Sequence, residues 1–142
     1  MKLTSRARNA VAAMADMAAY GGKRPVPLSD IAIRQGLSVA FLEQIFARLR
    51  KAGLVESRRG VGGGYILALD ADTITVSSIV RAVNEEIRST ACVPGANLGC
   101  TGTTARCLTH RLWHGLDLQI EGYLEGITLA EVAAGAERPV DA

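Results

Sequence analysis

The chain has 142 residues, which suits one domain or a small domain with an appendage, and 49% hydrophobic residues can supply its core. No stretch reaches the roughly 18 apolar residues of a membrane span and no signal peptide is evident, so we expect a cytoplasmic protein. The net charge of +2 divides into a balance of +7 over residues 1–60 and −5 over residues 61–142, and a basic first half favours a polyanionic partner.

The first part of the chain predicts a helix followed by a shorter helix. Thr4 or Ser5 can cap a first helix that ends near Tyr20. Ser29 can then cap a short helix over residues 30–35. With a third helix after a glycine turn, this order is the layout of a helix-turn-helix.

The third helix is the candidate recognition helix of that motif. Gly36 breaks the short helix before it, Ser38 can cap its start, and Gly53 stands where a left-handed residue can end it. Helical spacing separates a buried apolar stripe from a compact polar face that can enter a DNA groove. The stripe contains Leu42, Ile45, Phe46 and Leu49, and the polar face contains Ala40, Glu43, Gln44, Ala47 and Lys51.

Two predicted strands, over residues 54–57 and 65–69, enclose the glycine-rich segment 58–64. Two strands joined by a flexible turn, directly after a helix-turn-helix, predict a wing. Arg58 and Arg59 at its base can reach phosphates or a narrow minor groove. A phosphate-binding loop is the alternative, but neither a Lys-Ser/Thr pair nor a helix follows the glycines.

The second half predicts three more helices around one long loop. Thr75 caps a fourth helix, residues 89–106 form a loop of unusual length, and Thr128 caps a last short helix. The long helix from about Cys107 to Glu125 carries more apolar surface than one small domain can cover, which predicts antiparallel packing in a homodimer. Its apolar stripe contains Leu108, Leu112, Trp113, Leu116, Ile120, Tyr123 and Leu124.

The three cysteines and a histidine form a candidate metal-ligand set. They are spaced Cys92-x7-Cys100-x6-Cys107-x2-His110, and thiolates are soft ligands that suit iron–sulfur clusters and zinc. Four such ligands suffice for a [2Fe–2S] cluster. Spacing alone leaves a zinc site with three cysteines and one histidine, or a redox-active cysteine pair, open. His114, one helical turn beyond His110, is a second candidate for the histidine ligand.

Several ungapped segments make the sequence similar to a known family over nearly its whole length. The chain resembles the IscR family of bacterial winged-helix iron–sulfur regulators. The segments that carry the resemblance include Pro25-Val26-Pro27-Leu28, Arg34-Gln35-Gly36, Phe41-Leu42-Glu43-Gln44, Arg48-Leu49-Arg50-Lys51, Gly62-Gly63-Gly64-Tyr65 and Cys107-Leu108-Thr109-His110.

The resemblance implies a homodimer on a double-stranded DNA operator, with a [2Fe–2S] cluster held by Cys92, Cys100, Cys107 and His110. It favours His110 over His114 and iron–sulfur over zinc, although the spacing between the cysteines is wider here than in familiar members. It also implies repression of iron–sulfur assembly genes when the cluster is present, and assembly scaffold proteins as cluster donors. Nitric-oxide-sensing relatives carry a different cluster and lack this histidine.

The resemblance also implies how the helix and the wing meet DNA. Glu43 and Gln44 would read base edges, Phe41, where relatives often have Tyr, would meet a thymine methyl, and Arg59 would enter the minor groove. Phosphate contacts would come from other polar positions. The full candidate DNA surface contains Ser38, Ala40, Phe41, Glu43, Gln44, Arg50, Arg58, Arg59 and Gly60.

These observations predict a mainly α fold with a small β-wing, a winged helix-turn-helix followed by a long dimerisation helix. The expected divisions are residues 1–70 for DNA binding, 71–90 for a linking helix, 91–106 for the cluster-ligand loop, and 107–142 for the dimerisation and C-terminal helices. Since no triad or paired-carboxylate cleft stands out, we expect no enzyme. The alternative functions are a zinc- or thiol-dependent regulator and a relative with another cluster.

Overall fold

A computed structural model of the protein describes residues 4–83 and 108–135. Within these ranges the chain forms six α-helices and one antiparallel two-stranded sheet, so the predicted mainly α class with a small β-wing is confirmed. The elements are α1 Ser5–Asp16, α2 Leu28–Gln35, α3 Val39–Lys51, β1 Val55–Arg58, β2 Gly64–Leu67, α4 Val76–Ala82, α5 His110–Glu125 and α6 Leu129–Ala133.

Helix α1 is the centre of the core and packs against α2, α3, α4 and α6. Thr4 caps it by accepting a hydrogen bond from the Ala7 amide. Three alanines at helical spacing, Ala7, Ala10 and Ala13, are fully buried, and their small side chains let the neighbouring helices approach closely. The helical path continues beyond α1 as the π-helical turn Met17–Gly21, so the prediction of one helix to about Tyr20 was right in extent but not in geometry.

Helices α2 and α3 form the helix-turn-helix. The predicted Ser29 cap is wrong: α2 begins at Leu28 after Pro27, whose carbonyl accepts from the Asp30 and Ile31 amides. Pro27 is the N-cap residue, with φ −65° and an extended ψ of 143°, and its side chain cannot accept a hydrogen bond, so α2 begins without a side-chain cap. Gly36, with a left-handed φ of 66°, then ends α2 as predicted.

Strands β1 and β2 form the predicted wing, with Val55 opposite Leu67 and Arg58 opposite Gly64. A further segment supports it, because Val26 and Tyr65 exchange two backbone hydrogen bonds of 2.9 Å. The Tyr65 ring also packs on Phe46 of α3, with ring centroids 4.9 Å apart. The wing is therefore joined to both the approach to α2 and the recognition helix.

The last two helices meet the core differently. Helix α6 has a capping box between Thr128 and Glu131, and its Leu129 is fully buried against the core. Helix α5 buries none of its residues in this chain. It begins at His110, not at about Cys107, and Thr109 gives it no side-chain cap. Helix α5 contacts the core mainly near its C-terminal end, where Leu124 packs against it. Most of the surface of α5 is therefore exposed.

Candidate DNA-binding surface and metal ligands

Helix α3 presents the exposed face that the sequence predicted. The Phe41 amide donates to the Ser38 hydroxyl over 3.1 Å, which fixes the start of the helix. The predicted stripe of Leu42, Ile45, Phe46 and Leu49 is buried, while Ala40, Glu43, Gln44 and Arg50 are exposed and Phe41 is half-buried against the core. The helix therefore exposes the polar side chains of Glu43, Gln44 and Arg50, while its other side is fixed by the core.

The orientation of α2 depends on a buried carboxylate that sequence reasoning missed. The Asp16 side chain is 0% exposed and accepts hydrogen bonds from Arg34 Nε at 2.9 Å and Nη2 at 2.7 Å and from Gln35 Nε2 at 3.0 Å. The hydrogen bonds to Asp16 raise the pKa of Arg34 above its ordinary value, because the carboxylate stabilises the charged guanidinium. The Arg34 guanidinium also lies 4.7 Å from the centre of the Tyr20 ring.

These contacts join the end of α1 to the last turn of α2, immediately before the turn that leads into α3. Charge-assisted bidentate bonds are directional, so they restrain the relative positions of the helices and not only their separation. The available sequence signal was the position of Asp16, three residues after Ala13 on the buried face of α1. An acid at such a position requires a partner.

The wing places two of its glycines, Gly63 and Gly64, where a side chain would collide with backbone atoms. A Cβ on Gly64 would lie 2.3 Å from the Val26 carbonyl oxygen, and one on Gly63 would lie 2.4 Å from the Arg58 carbonyl oxygen. Gly60, with φ 96°, takes a conformation that side chains rarely adopt. The glycine-rich sequence therefore closes a tight turn and lets the wing contact the segment before α2.

The two predicted wing arginines have different surroundings. Both Arg58 and Arg59 are exposed. Arg58 donates to Glu56 at 3.0 Å, an exposed ion pair that the sequence reasoning did not anticipate. Because an exposed pair contributes little stability, Arg58 can exchange this partner for a phosphate oxygen at small cost.

Of the predicted metal ligands, only His110 lies in the described residues; Cys92, Cys100 and Cys107 fall outside them. His110 is half-buried at the first position of α5, and its ring stacks on that of His114 with centroids 6.1 Å apart and planes inclined by 6°. Both histidines therefore share one face of the helix. Across residues 4–83 and 108–135, no three His, Cys, Asp or Glu side chains form a metal-binding group.

Several side chains of the apolar stripe of α5 are exposed in the single chain. Leu112 is 61% exposed and Tyr123 is 56% exposed. The C-terminal end of the helix is tied to α4 by an ion pair of 2.8 Å between Arg81 and Glu125.

In the described part of the chain, no helix is long and apolar enough to cross a membrane.

A helix-turn-helix, an exposed polar face on its second helix and a wing with exposed arginines define a winged-helix DNA-binding protein. Comparisons with known proteins place the chain within that class. Residues 3–135 match the Rrf2 family model, described as "Iron-dependent Transcriptional regulator". The chain belongs to the Rrf2 family, and it is a transcriptional regulator.

The relatives support this assignment over most of their length. The chain is 50% identical over 137 residues to the HTH-type transcriptional regulator IscR of Sodalis glossinidius, covering 96% of this chain and 81% of that protein. It is 52% identical over 132 residues to the IscR of Serratia proteamaculans, covering 93% and 79%. The resemblance to IscR regulators is thus confirmed. The expectation of no enzyme is also confirmed, since the relatives are named as transcriptional regulators.

Solved structures agree on the fold. The T. potens IscR structure matches with a TM-score of 0.78 and 37% identity, covering 100% of this chain and 93% of that chain. The structure of CymR (YrzC), the global cysteine regulator of B. subtilis, matches with a TM-score of 0.79 and 29% identity, covering 95% and 98%.

Proposed function

We propose that this regulator binds a double-stranded DNA operator as a cytoplasmic homodimer and that a [2Fe–2S] cluster controls the binding. In the loaded state it represses iron–sulfur assembly genes, and assembly scaffold proteins supply the cluster. Residues 1–70 bind DNA, 71–90 link, 91–106 carry cluster ligands, and 107–142 supply the dimer and C-terminal helices. The observation that carries the DNA-binding part is the exposed polar face of α3 beside a wing held to the same core.

Glu43 and Gln44 are the proposed readers of base edges, because both are exposed on the face of α3 opposite its buried stripe. A glutamate accepts from cytosine N4, and a glutamine can pair with adenine through two hydrogen bonds. Ser38 and Arg50 are proposed to contact phosphates, which position the protein without reading sequence. Arg58 is proposed to release Glu56 and to contact a phosphate as well. Arg59 and Gly60 are proposed to approach the minor groove.

The homodimer is proposed to form through the exposed stripe of α5. Leu112 and Leu116 lie one helical turn apart, and 61% and 37% of their surfaces are exposed in the single chain. A second copy packed in antiparallel fashion would bury both sets of side chains and remove this apolar surface from water. Two α3 helices would then face two half-sites of an operator.

The ligand set fits an iron–sulfur cluster in its chemistry. Three thiolates from Cys92, Cys100 and Cys107 with one imidazole from His110 supply four soft-to-borderline donors. His110 is half-buried at the start of α5, and the family description as iron-dependent favours iron. When bound, such a cluster supplies a redox- and iron-responsive charge and ties its ligands together.

Anaerobic purification tests the cluster directly. About two irons and two sulfides per chain, with visible absorption, support the proposal. One tightly bound zinc, or no metal and a reversible disulfide, would favour the zinc- or thiol-dependent alternative. About four irons and four sulfides per chain would indicate a regulator with a [4Fe–4S] cluster.

Binding is tested with a duplex that the protein itself selects from a random library. Its dissociation constant is measured by fluorescence anisotropy with cluster-loaded and cluster-free protein at one salt concentration. Cluster control predicts different constants for the two forms, whereas equal constants would refute it.

A further inference from the structure

The tip of the wing carries a single side chain. Residues 60–64 are four glycines and Val61, so Val61 is the one residue of this segment that has a side chain. The Gly63 amide donates to the Gly60 carbonyl at 2.9 Å, which closes a turn with Val61 at its second position. Val61 is fully exposed. The apex of the wing is therefore a narrow backbone turn that bears one apolar side chain.

This side chain does not stabilise the fold. Val61 does not belong to the hydrophobic core of the described residues. Its neighbours Gly60 and Gly62 lie in open space, because a Cβ on either would meet nothing within 4 Å. The turn itself is held in place, since β1 pairs with β2 and Tyr65 is bonded to Val26. A change of the Val61 side chain should therefore leave the fold intact, and the wing presents this side chain to its partner.

The surroundings of the turn favour the minor groove of DNA as that partner. The exposed Arg58 and Arg59 lead into the turn and match the charge of a polyanion. The minor groove is only about 6 Å wide, and glycines let a backbone approach a surface closely. Because every neighbour of Val61 within the turn is a glycine, the tip can enter such a groove and bring Val61 to the base edges.

Base pairs differ in the minor groove by one group. Both A·T and T·A present only acceptors there, whereas G·C adds the N2 amino donor of guanine. Arg59 can donate to the acceptors, but a valine side chain cannot accept a hydrogen bond from the amino group. Val61 over a G·C pair would take that amino group out of water without a partner. An unpaired buried polar group weakens binding, so the valine should disfavour G·C.

We infer that Val61 is a specificity-determining residue that enters the minor groove and selects A·T over G·C at the base pair beneath the wing. The inference rests on the proposed function and deepens it, because it adds a base preference that does not come from α3. The preference is measured as the ratio of the dissociation constants for the G·C and A·T duplexes, here called the G·C penalty.

The first test uses the full-length parent and the duplex that it selects from a random library. Each A·T pair is replaced in turn by G·C and by inosine·cytosine, which lacks the N2 amino group and keeps the major-groove edge of G·C. At the pair beneath the wing, the G·C penalty should be about fivefold or more, as for one unpaired polar group, and inosine·cytosine should remove it. If inosine·cytosine relieves the penalty at no pair, the inference is overturned while DNA binding stands.

Three variants then test whether the penalty depends on the valine. Val61→Thr keeps the shape of the side chain and supplies a hydroxyl that can accept from the amino group, so the G·C penalty should fall toward one. Val132→Thr makes the same change at an exposed valine of α6 and should keep the parent's penalty. Arg59→Ala should lower the slope of the salt dependence by about one, whereas Val61→Thr should leave that slope unchanged because it alters no charge.

The remaining outcomes separate the inference from the proposed function. A parent that selects no duplex would refute both. A G·C penalty that persists in Val61→Thr would overturn the inference alone, and its loss in Arg59→Ala would then assign the preference to groove shape. An equal loss in Val132→Thr would show that the effect does not depend on the wing tip. The inosine scan needs only the parent protein, so it decides the inference even if a variant does not fold.

Discussion

Replacement of Gly64 by alanine tests how the wing is held to the body of the protein. The new Cβ would lie 2.3 Å from the Val26 carbonyl oxygen and 2.6 Å from the Pro27 nitrogen. Both neighbours are backbone atoms and cannot rotate away. To restore van der Waals distance between the carbon and the oxygen, the two segments would need to separate by about 1 Å.

That separation removes the bridge between Val26 and Tyr65. Its two hydrogen bonds of 2.9 Å are worth about 1 kcal/mol each, and the residual strain of an overpacked site adds about 1–3 kcal/mol. The free energy of unfolding of the Gly64→Ala protein should therefore be about 3–5 kcal/mol lower than that of the parent. The packing of Tyr65 on Phe46 should loosen with it.

Urea unfolding followed by circular dichroism measures this loss, and the midpoint should fall by roughly 1–5 M for a slope of about 1–3 kcal/mol per molar urea. Gly62→Ala is the matched control in the same wing, since Gly62 has φ 77° and a Cβ there would meet nothing within 4 Å. Conformational strain alone costs that variant about 1–2 kcal/mol. If Gly64→Ala is as stable as Gly62→Ala, the close approach to Val26 does not hold the wing.

Three further predictions concern DNA reading, ligation and assembly. Gln44→Ala should relax base preference at one operator position by about 1–3 kcal/mol in anisotropy measurements on single-base variants, whereas a uniform loss across all sequences would argue against base reading. His110→Ala should abolish the visible absorption of the anaerobically purified protein while His114→Ala retains it; the opposite result would reassign the ligand. Leu112→Ser with Leu116→Ser should shift the sedimentation equilibrium toward monomer, because both exposed side chains belong to the proposed interface. The control is Leu118→Ser, because Leu118 is a 54% exposed leucine on another face of α5. A dimer that is unaffected by the double substitution would refute the proposed interface.

Local signals in the sequence were sufficient for much of the fold. Ser38, Thr75 and Thr128 each cap the helix that follows them, because capping depends on a side chain and amides only three residues apart. The buried stripe of α3 followed from helical spacing. Glycines between two short β-prone segments were sufficient to predict the wing.

Some local signals in the sequence were misleading, and others did not decide between two alternatives. Ser29 has the chemistry of a cap, yet Pro27 is the N-cap residue and Ser29 lies inside the helix that begins at Leu28. The start of α5 was placed near Cys107 from apolar spacing, which extends beyond the hydrogen-bonded helix that begins at His110. The choice between His110 and His114 stays a prediction, because the two rings share one helix face.

The sequence by itself determined the class of protein: an amphipathic helix after a glycine turn and a glycine-rich wing suffice to predict a winged helix. Tertiary structure alone decided the contacts that orient these parts. Asp16 meets Arg34 and Gln35 across 18 and 19 residues, and Gly64 meets Val26 across a whole helix-turn-helix. A burial preference or a helical period describes one residue and its near neighbours, whereas these contacts exist only after separate elements have packed against α1.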